Sequence, residues 1–138
     1  MSVSTTSFTS TTPTSASTSI VSPSVTTASS NAVIVFGVAV SSAAVTITSV
    51  TLTGFTGTTS NVISIRNSDS FVDLFAVIAP ATSVAGTIRA GLSAAADAQL
   101  SVWMLSGADQ TTPCPTGDAK SATDTGAGST INRSMKST

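Results

Sequence analysis

The apolar positions fall into short blocks, most of them alternating with polar ones. The exception is "NAVIVFGVAV", whose continuous apolar run from Ala32 to Val40 suits a strand covered on both faces. "AVTITSVTLTG" alternates as Val45 and Ile47, then as Val50 and Leu52. Its phase slips by one residue near Ser49, which predicts a β-bulge. "FTGTTSN" reads as a connection, and "VISIRN" as a short strand ending in the turn cluster Asn67-Ser68-Asp69. In "FVDLFAVIAP", Phe71, Asp73, Phe75 and Val77 point one way, and Val72, Leu74, Ala76 and Ile78 the other. Pro80 ends this strand because proline cannot donate to a ladder.

"SVAGTIRAGLS" alternates most regularly. Val84, Ile88, Ala90 and Leu92 share one face with Gly86, and Ala85, Thr87, Arg89 and Gly91 share the other. "SAAADA" is long enough for one helical turn and too short for a helix. In "AQLSVWMLSG", Ala98, Leu100, Val102 and Met104 are predicted to face the core, with Gln99, Ser101, Trp103 and Leu105 facing outward or an interface. Strands at roughly ten-residue spacing, punctuated by Gly, Pro, Asn and Ser, predict an antiparallel β-sandwich over residues 31–113.

The two ends of the chain read differently. Residues 1–30 form a Ser/Thr-rich arm with Pro13 and Pro23, too poor in apolar surface to order alone. Two readings stay open: a disordered tail, or an extended arm that orders on a neighbouring subunit by adding strands to its sheet edges. Phe8, Ile20 and Val21 are the partner-binding anchors of the second reading. Residues 114–138 form a polar, Gly-rich tail with one short strand expected near Ser129–Ile131.

Composition reinforces the strands. Of 138 residues 41% are hydrophobic and only 8% charged, against the usual quarter. Glu is absent and Lys, Gln and Met are scarce, whereas Val, Ile and Thr abound. The net charge of −1 gives no electrostatic case for nucleic acid or an anionic membrane. The first ionisable side chain is Arg66. So neutral a surface suits a subunit of a larger assembly, and a homo-oligomer is expected. A core of about 80 residues buries only about 60–65% of its unfolded surface, and its open edges invite pairing, which points the same way.

Catalytic chemistry finds little material. The chain has no His, hence no Ser/His/Asp triad and none of the commonest metal ligands. Lys120 and Lys136 both lie in the tail, away from any serine dyad in the core. The glycines of "TGFTGTTSN" lack the lysine and the strand-to-helix context of a phosphate loop, and "DAKSATDTG" lacks an EF-hand ladder. Asp73 shares a face with two phenylalanines, so an ion pair with Arg66 or Arg89 is weighed against a catalytic carboxylate. Trp103 is read as a packed structural residue, with stacking on a sugar or partner as the alternative. Cys114 has no second cysteine to pair with and sits between Pro113 and Pro115, in a loop. No cofactor, metal, membrane or nucleic-acid partner is expected. Residues 1–30 lack the basic start and apolar core of a signal peptide, so synthesis in a cytoplasm without standard export is expected.

"SGADQTTP" gathers Asp109, Gln110 and Thr111 after the only tryptophan. It is read as a structural turn of Gly107, Asp109, Gln110, Thr111 and Pro113 that closes the Trp103 strand, with Asp109 or Thr111 bonded to local backbone.

Taken in order, "VTITSVTLTG", "VDLFAVIAPATSVAGTIRAGLS" and "LSVWMLSGADQTTP" resemble a group of small β-sandwich proteins of tailed bacteriophages and prophages. The matching residues are Phe75, Pro80, Gly86, Thr87 and the close Gly107 to Pro113, within residues 31–113. The resemblance implies an immunoglobulin-like or jelly-roll-like sandwich on a virion, assembled in the host cytoplasm, without enzymatic activity. Such proteins continue with further strands after this close, whereas this chain continues into its polar tail. Another chain, or the Thr-rich arm, is left to fill that place.

The leading expectation is a capsid decoration or cement protein, or the base of a head fibre, bound to the major capsid protein or other virion subunits. The alternative is a tail, baseplate or fibre module that binds host-surface glycan. A pilus-like surface subunit ranks third and an enzyme last.

Overall fold

The computed structural model describes residues 4–11, 15–27, 32–54, 56–78 and 84–111. Pro80, Thr112, Pro113, Cys114, Lys120, Lys136 and the strand expected near residues 129–131 lie outside them.

The described residues form nine strands in two antiparallel sheets. They are β1 Ser4–Ser10, β2 Ser17–Val21, β3 Val25–Thr26, β4 Ala32–Val40, β5 Ile47–Thr53, β6 Thr58–Arg66, β7 Phe71–Ile78, β8 Ala85–Ala96 and β9 Ala98–Ser106. The larger sheet has the order β1-β9-β4-β7-β6. In the smaller, β8 is central, with β5 along one edge and β2 and β3 along the other. One apolar core joins the sheets. Ile34, Phe36 and Val38 enter it from β4, Leu100 and Val102 from β9, and Ile88, Ala90 and Leu92 from β8. The fold is thus an all-β antiparallel sandwich.

β4 is central because it is apolar on both sides. Its even-numbered residues fill the core between the sheets, while Val33 on the opposite face is also fully buried. The slip near Ser49 is a register shift between Ile47 and Ser49 against β8. It lets Val50 and Leu52 reach the core after Ile47 has done so, although two residues of one parity would otherwise be needed. Gly54, at φ +89°, ends β5 where a Cβ would collide with the carbonyl oxygen of Ala85.

Three segments depart from the sequence reading. Thr58–Asn61 is not a connection: these residues pair with Phe75–Ile78 of β7 as the first half of β6, because Thr is at home on a pleated edge. Ala94–Ala96 makes no helical turn but completes β8, with Ala96 held opposite Ser17. Asp97 alone then carries the chain from one sheet into the other. The third is the N-terminal arm, which departs from the free-tail and neighbouring-subunit readings and follows the remaining one, in which the Thr-rich arm fills the open place in this chain's sandwich. Its described residues are strands of this chain's own sandwich: β1 pairs with β9, and β2 and β3 pair with β8.

Candidate functional site

The docked N-terminal segment holds on by main chain and by hydroxyls. β1 runs antiparallel to β9, with Phe8 at the register position opposite Trp103. β2 and β3 lie end to end along β8, interrupted where Pro23 has no N–H to give. Ser22 bridges that gap. Its N–H donates to the Ile88 carbonyl at 2.8 Å, and its Oγ accepts the Ile88 N–H at 2.9 Å. Thr27 does the same with Val84, at 3.1 and 3.2 Å, and Thr11 with Leu100, at 2.9 and 3.0 Å.

In an ordinary hydrogen-bonded pair each residue exchanges its N–H and its own carbonyl. Here a side-chain oxygen replaces the carbonyl, so the partner's ladder is complete while the main chain is free to leave the sheet. Thr46 and Ser93 repeat the device between β5 and β8: the Ser93 N–H meets the Thr46 carbonyl at 2.9 Å, and the Ser93 Oγ accepts the Thr46 N–H at 3.0 Å. Ser22 and Thr27 are both buried, so these bonds are shielded from water. Ser22→Ala strands the Ile88 N–H in the interior and is expected to cost about 1–3 kcal/mol. Urea unfolding checks this as a lowered midpoint with an unchanged slope.

The anchors expected on a neighbouring subunit are therefore placed within their own chain. Ile20 packs against the chain's own core, and Val21 lies on the outer side of the smaller sheet, 45% exposed. Composition concealed this, since a Ser/Thr-rich run with few apolar residues looks unable to order. The available signal was a hydroxyl beside a proline, as in Ser22-Pro23, next to the short apolar island of Ile20 and Val21.

Asp73 is buried among Phe71 and Phe75, opposite Val38 on one side and Ser64 on the other. Of the two arginines weighed for it, Arg66 is its partner, with Nη2 3.7 Å from Oδ2. The guanidinium lies 4.1 Å from the centroid of the Phe71 ring, and its Nη1 donates to the Val45 carbonyl at 3.4 Å. Asp73 Oδ1 accepts no hydrogen bond from the described protein groups. Arg89 stands instead on the outer face of β8 and donates to the Ser19 hydroxyl at 3.1 Å.

Residues 106–111 form a turn. Gly107 takes φ +72°, the Asp109 carboxylate accepts the Thr111 N–H at 2.7 Å, and the Gln110 amide donates to the Ala108 carbonyl at 3.1 Å. The turn lays Ala108 against Val33 and Ala76 on the outer side of the larger sheet. At one end of the sandwich an open hollow of about 270 Å³ is lined by Val40, Ser41, Phe71, Asp97 and Ala98, among others. Phe71 is only 1% exposed, so its ring offers no stacking platform to a sugar. No group of three His, Cys, Asp or Glu side chains that could hold a metal ion occurs among the described residues. No family model, curated protein or solved structure matches the chain.

The outer faces of the two sheets are unlike. On the smaller sheet, cross-strand register aligns Ser49, Thr51 and Thr53 of β5 with Gly91, Arg89 and Thr87 of β8, a hydrated face. On the larger, it aligns Val35 of β4 with Trp103 of β9 and Ala76 of β7. Leu74 and Ile63 continue the row, followed by Val72 and Ile65. Trp103 and Leu74 approach one another over Gly37, where a Cβ would stand 2.9 Å from Leu74 Cδ2 and 3.6 Å from the indole ring. The sequence placed Trp103 and Leu105 outward. It did not show that residues from β4, β6 and β7 join them, because that depends on a strand order unrelated to chain order.

Proposed function

We propose that this chain is a non-enzymatic structural subunit of a bacteriophage virion, a decoration protein that ties together the subunits of the capsid. The reading is supported first by a nearly uncharged surface. Among the described residues the only charged side chains are Arg66, Asp69, Asp73, Arg89, Asp97 and Asp109, and the Arg66–Asp73 pair neutralises two of them. A protein with so little charge lacks the usual protection against association, which favours one whose surface is met by neighbours. The likeness of residues 31–113 to phage sandwich proteins supplies the setting.

The mechanism is passive. A sandwich whose ladder ends are closed by hydroxyls resists opening, and apolar contact with neighbours contributes about 25 cal/mol per Å² removed from water. Such contacts spread the outward load of packaged DNA over several subunits. The N-terminal segment acts in this reading as part of the rigid body, because its described residues already complete their own sheets.

Quantitative mass spectrometry and antibody labelling of purified particles test the proposal. The expected result is many copies on the outer surface of DNA-filled heads. Labelling confined to the tail would favour the glycan-binding alternative, and absence from particles would overturn the virion reading.

A further inference from the structure

We infer that the outer face of the five-stranded sheet is a self-association surface, on which two copies of this chain pack face to face. The inference goes beyond the virion reading and does not rest on it.

Chemistry comes first. The face carries Val35, Leu74, Trp103, Leu105, Ile63 and Ile65, all half-buried, with Val72 more exposed at 38%. Among the described residues only the turn at Ala108 lies over this face, and neighbouring side chains on it account for the rest of the partial burial. Apart from Val21 on its β2 edge, the smaller sheet shows what this protein presents to water: Ser, Thr, Gly and Arg at the outward positions of β5 and β8. A sandwich ordinarily alternates apolar-in and polar-out along every strand. In the smaller sheet β5 and the facing part of β8 follow that rule, and the larger sheet breaks it on four adjacent strands, β9, β4, β7 and β6.

The second copy is favoured over a charged partner by electrostatics. None of the charged residues Arg66, Asp69, Asp73, Arg89, Asp97 and Asp109 occupies this row of outward positions. Two identical faces therefore meet without like charges opposed, and a charged partner would find nothing to pair with. Shape agrees. Sheets of the same twist stack about 10 Å apart with strands inclined by about 30°. The inner face of this sheet already packs against another sheet across a shared apolar core.

Area sets the strength. The turn at Ala108 covers one end of the face, over Val33 and Ala76. About six residues per strand at ~3.3 Å, across five strands ~4.8 Å apart, leave roughly 500 Å² per copy. A pair of copies buries roughly 1,000 Å², the lower bound for a specific interface, so the dimer forms and dissociates with concentration.

The single tryptophan of the chain lies on this face and reports on it directly. Sedimentation velocity and tryptophan fluorescence of the full chain, over a dilution series, make the test. The mass is expected to double with concentration, while Trp103 emission shifts to the blue and acrylamide quenching falls. Val72→Lys, at an exposed position that tolerates the long side chain, buries a charge in the dimer and is expected to raise the dissociation constant at least about tenfold. Thr51→Lys, on the outer face of the smaller sheet, is expected to leave it unchanged. A monomer at every concentration would overturn the inference, as would a dimer that leaves Trp103 emission unmoved or is weakened by Thr51→Lys alone. A monomer that still coats capsids would overturn this inference and leave the virion reading standing.

Discussion

A chain shortened by residues 2–27 is expected to lose its cooperative unfolding transition. The deletion removes β1 from the edge of β9 and both β2 and β3 from the edge of β8, which leaves β8 paired with β5 alone. A two-stranded sheet is marginal in water. Val25, only 5% exposed, and Ile20 leave the core with the segment, so Ile88 and Ala90 lose cover as well as ladder partners. The N–H groups of Leu100, Ile88 and Val84 lose the hydroxyls of Thr11, Ser22 and Thr27. Newly opened edges of β8 and β9 would then recruit other chains. Circular dichroism during heating, with size-exclusion chromatography, checks the outcome: a broad, non-cooperative melt and aggregates. A synthetic peptide of residues 2–27 added to the shortened chain should restore the transition, and the Ser22→Ala peptide should do so less well. A shortened chain that melts sharply near the full-length temperature would show that the segment is an accessory to the sandwich.

The contrast between this segment and the rest shows which parts of the fold are written in alternation. β7, β8 and β9 each have one face on the core, so period-two patterning grouped Phe75 with Phe71 and Val77, grouped Ile88 with Ala90 and Leu92, and placed Leu100 inward, and all of these are buried. The bulge at Ile47/Ser49 was legible for the same reason, because a slipped register moves apolar residues to the wrong face unless the pattern slips with it. Ser22, Thr27 and Thr11 were illegible because their contribution is an acceptor oxygen at a strand end, and hydropathy counts them only as polar. Thr58–Asn61 was hidden likewise, by residues equally common in loops and on strand edges. Asp73 shows an intermediate case: its face and its two possible partners followed from the sequence, and the choice of Arg66 needed the β6–β7 hairpin closed by Asn67. The apolar outer face is beyond any reading along the chain, since Val35, Trp103 and Leu74 become neighbours only through the order β9-β4-β7.

Phe36→Ala is expected to remove about 3–5 kcal/mol of stability, a large share of the roughly 5–15 kcal/mol that holds a domain together. Phe36 is 0% exposed on the central strand, directly opposite Phe75 on β7 and Val102 on β9. Its ring stacks on that of Phe75, with centroids 5.0 Å apart and planes inclined by 13°. Truncation leaves a hole bounded by strands on both sides, whose hydrogen bonds to β7 and β9 prevent collapse into it. Phe36→Leu fills most of the volume and is expected to cost less than half as much. A double-mutant cycle with Phe75→Leu should return a coupling of about 0.5–1.5 kcal/mol for the stacked pair. Urea midpoints of the four proteins supply these differences, and a loss below about 1 kcal/mol for Phe36→Ala would mean that the sheets close over the cavity. The same variant separates the two faces of β4. Phe36 points between the sheets, whereas its neighbour Val35 points outward beside Trp103. Phe36→Ala should therefore lower the unfolding midpoint and leave the association of the folded protein unchanged, while Val72→Lys on the outer face should do the reverse.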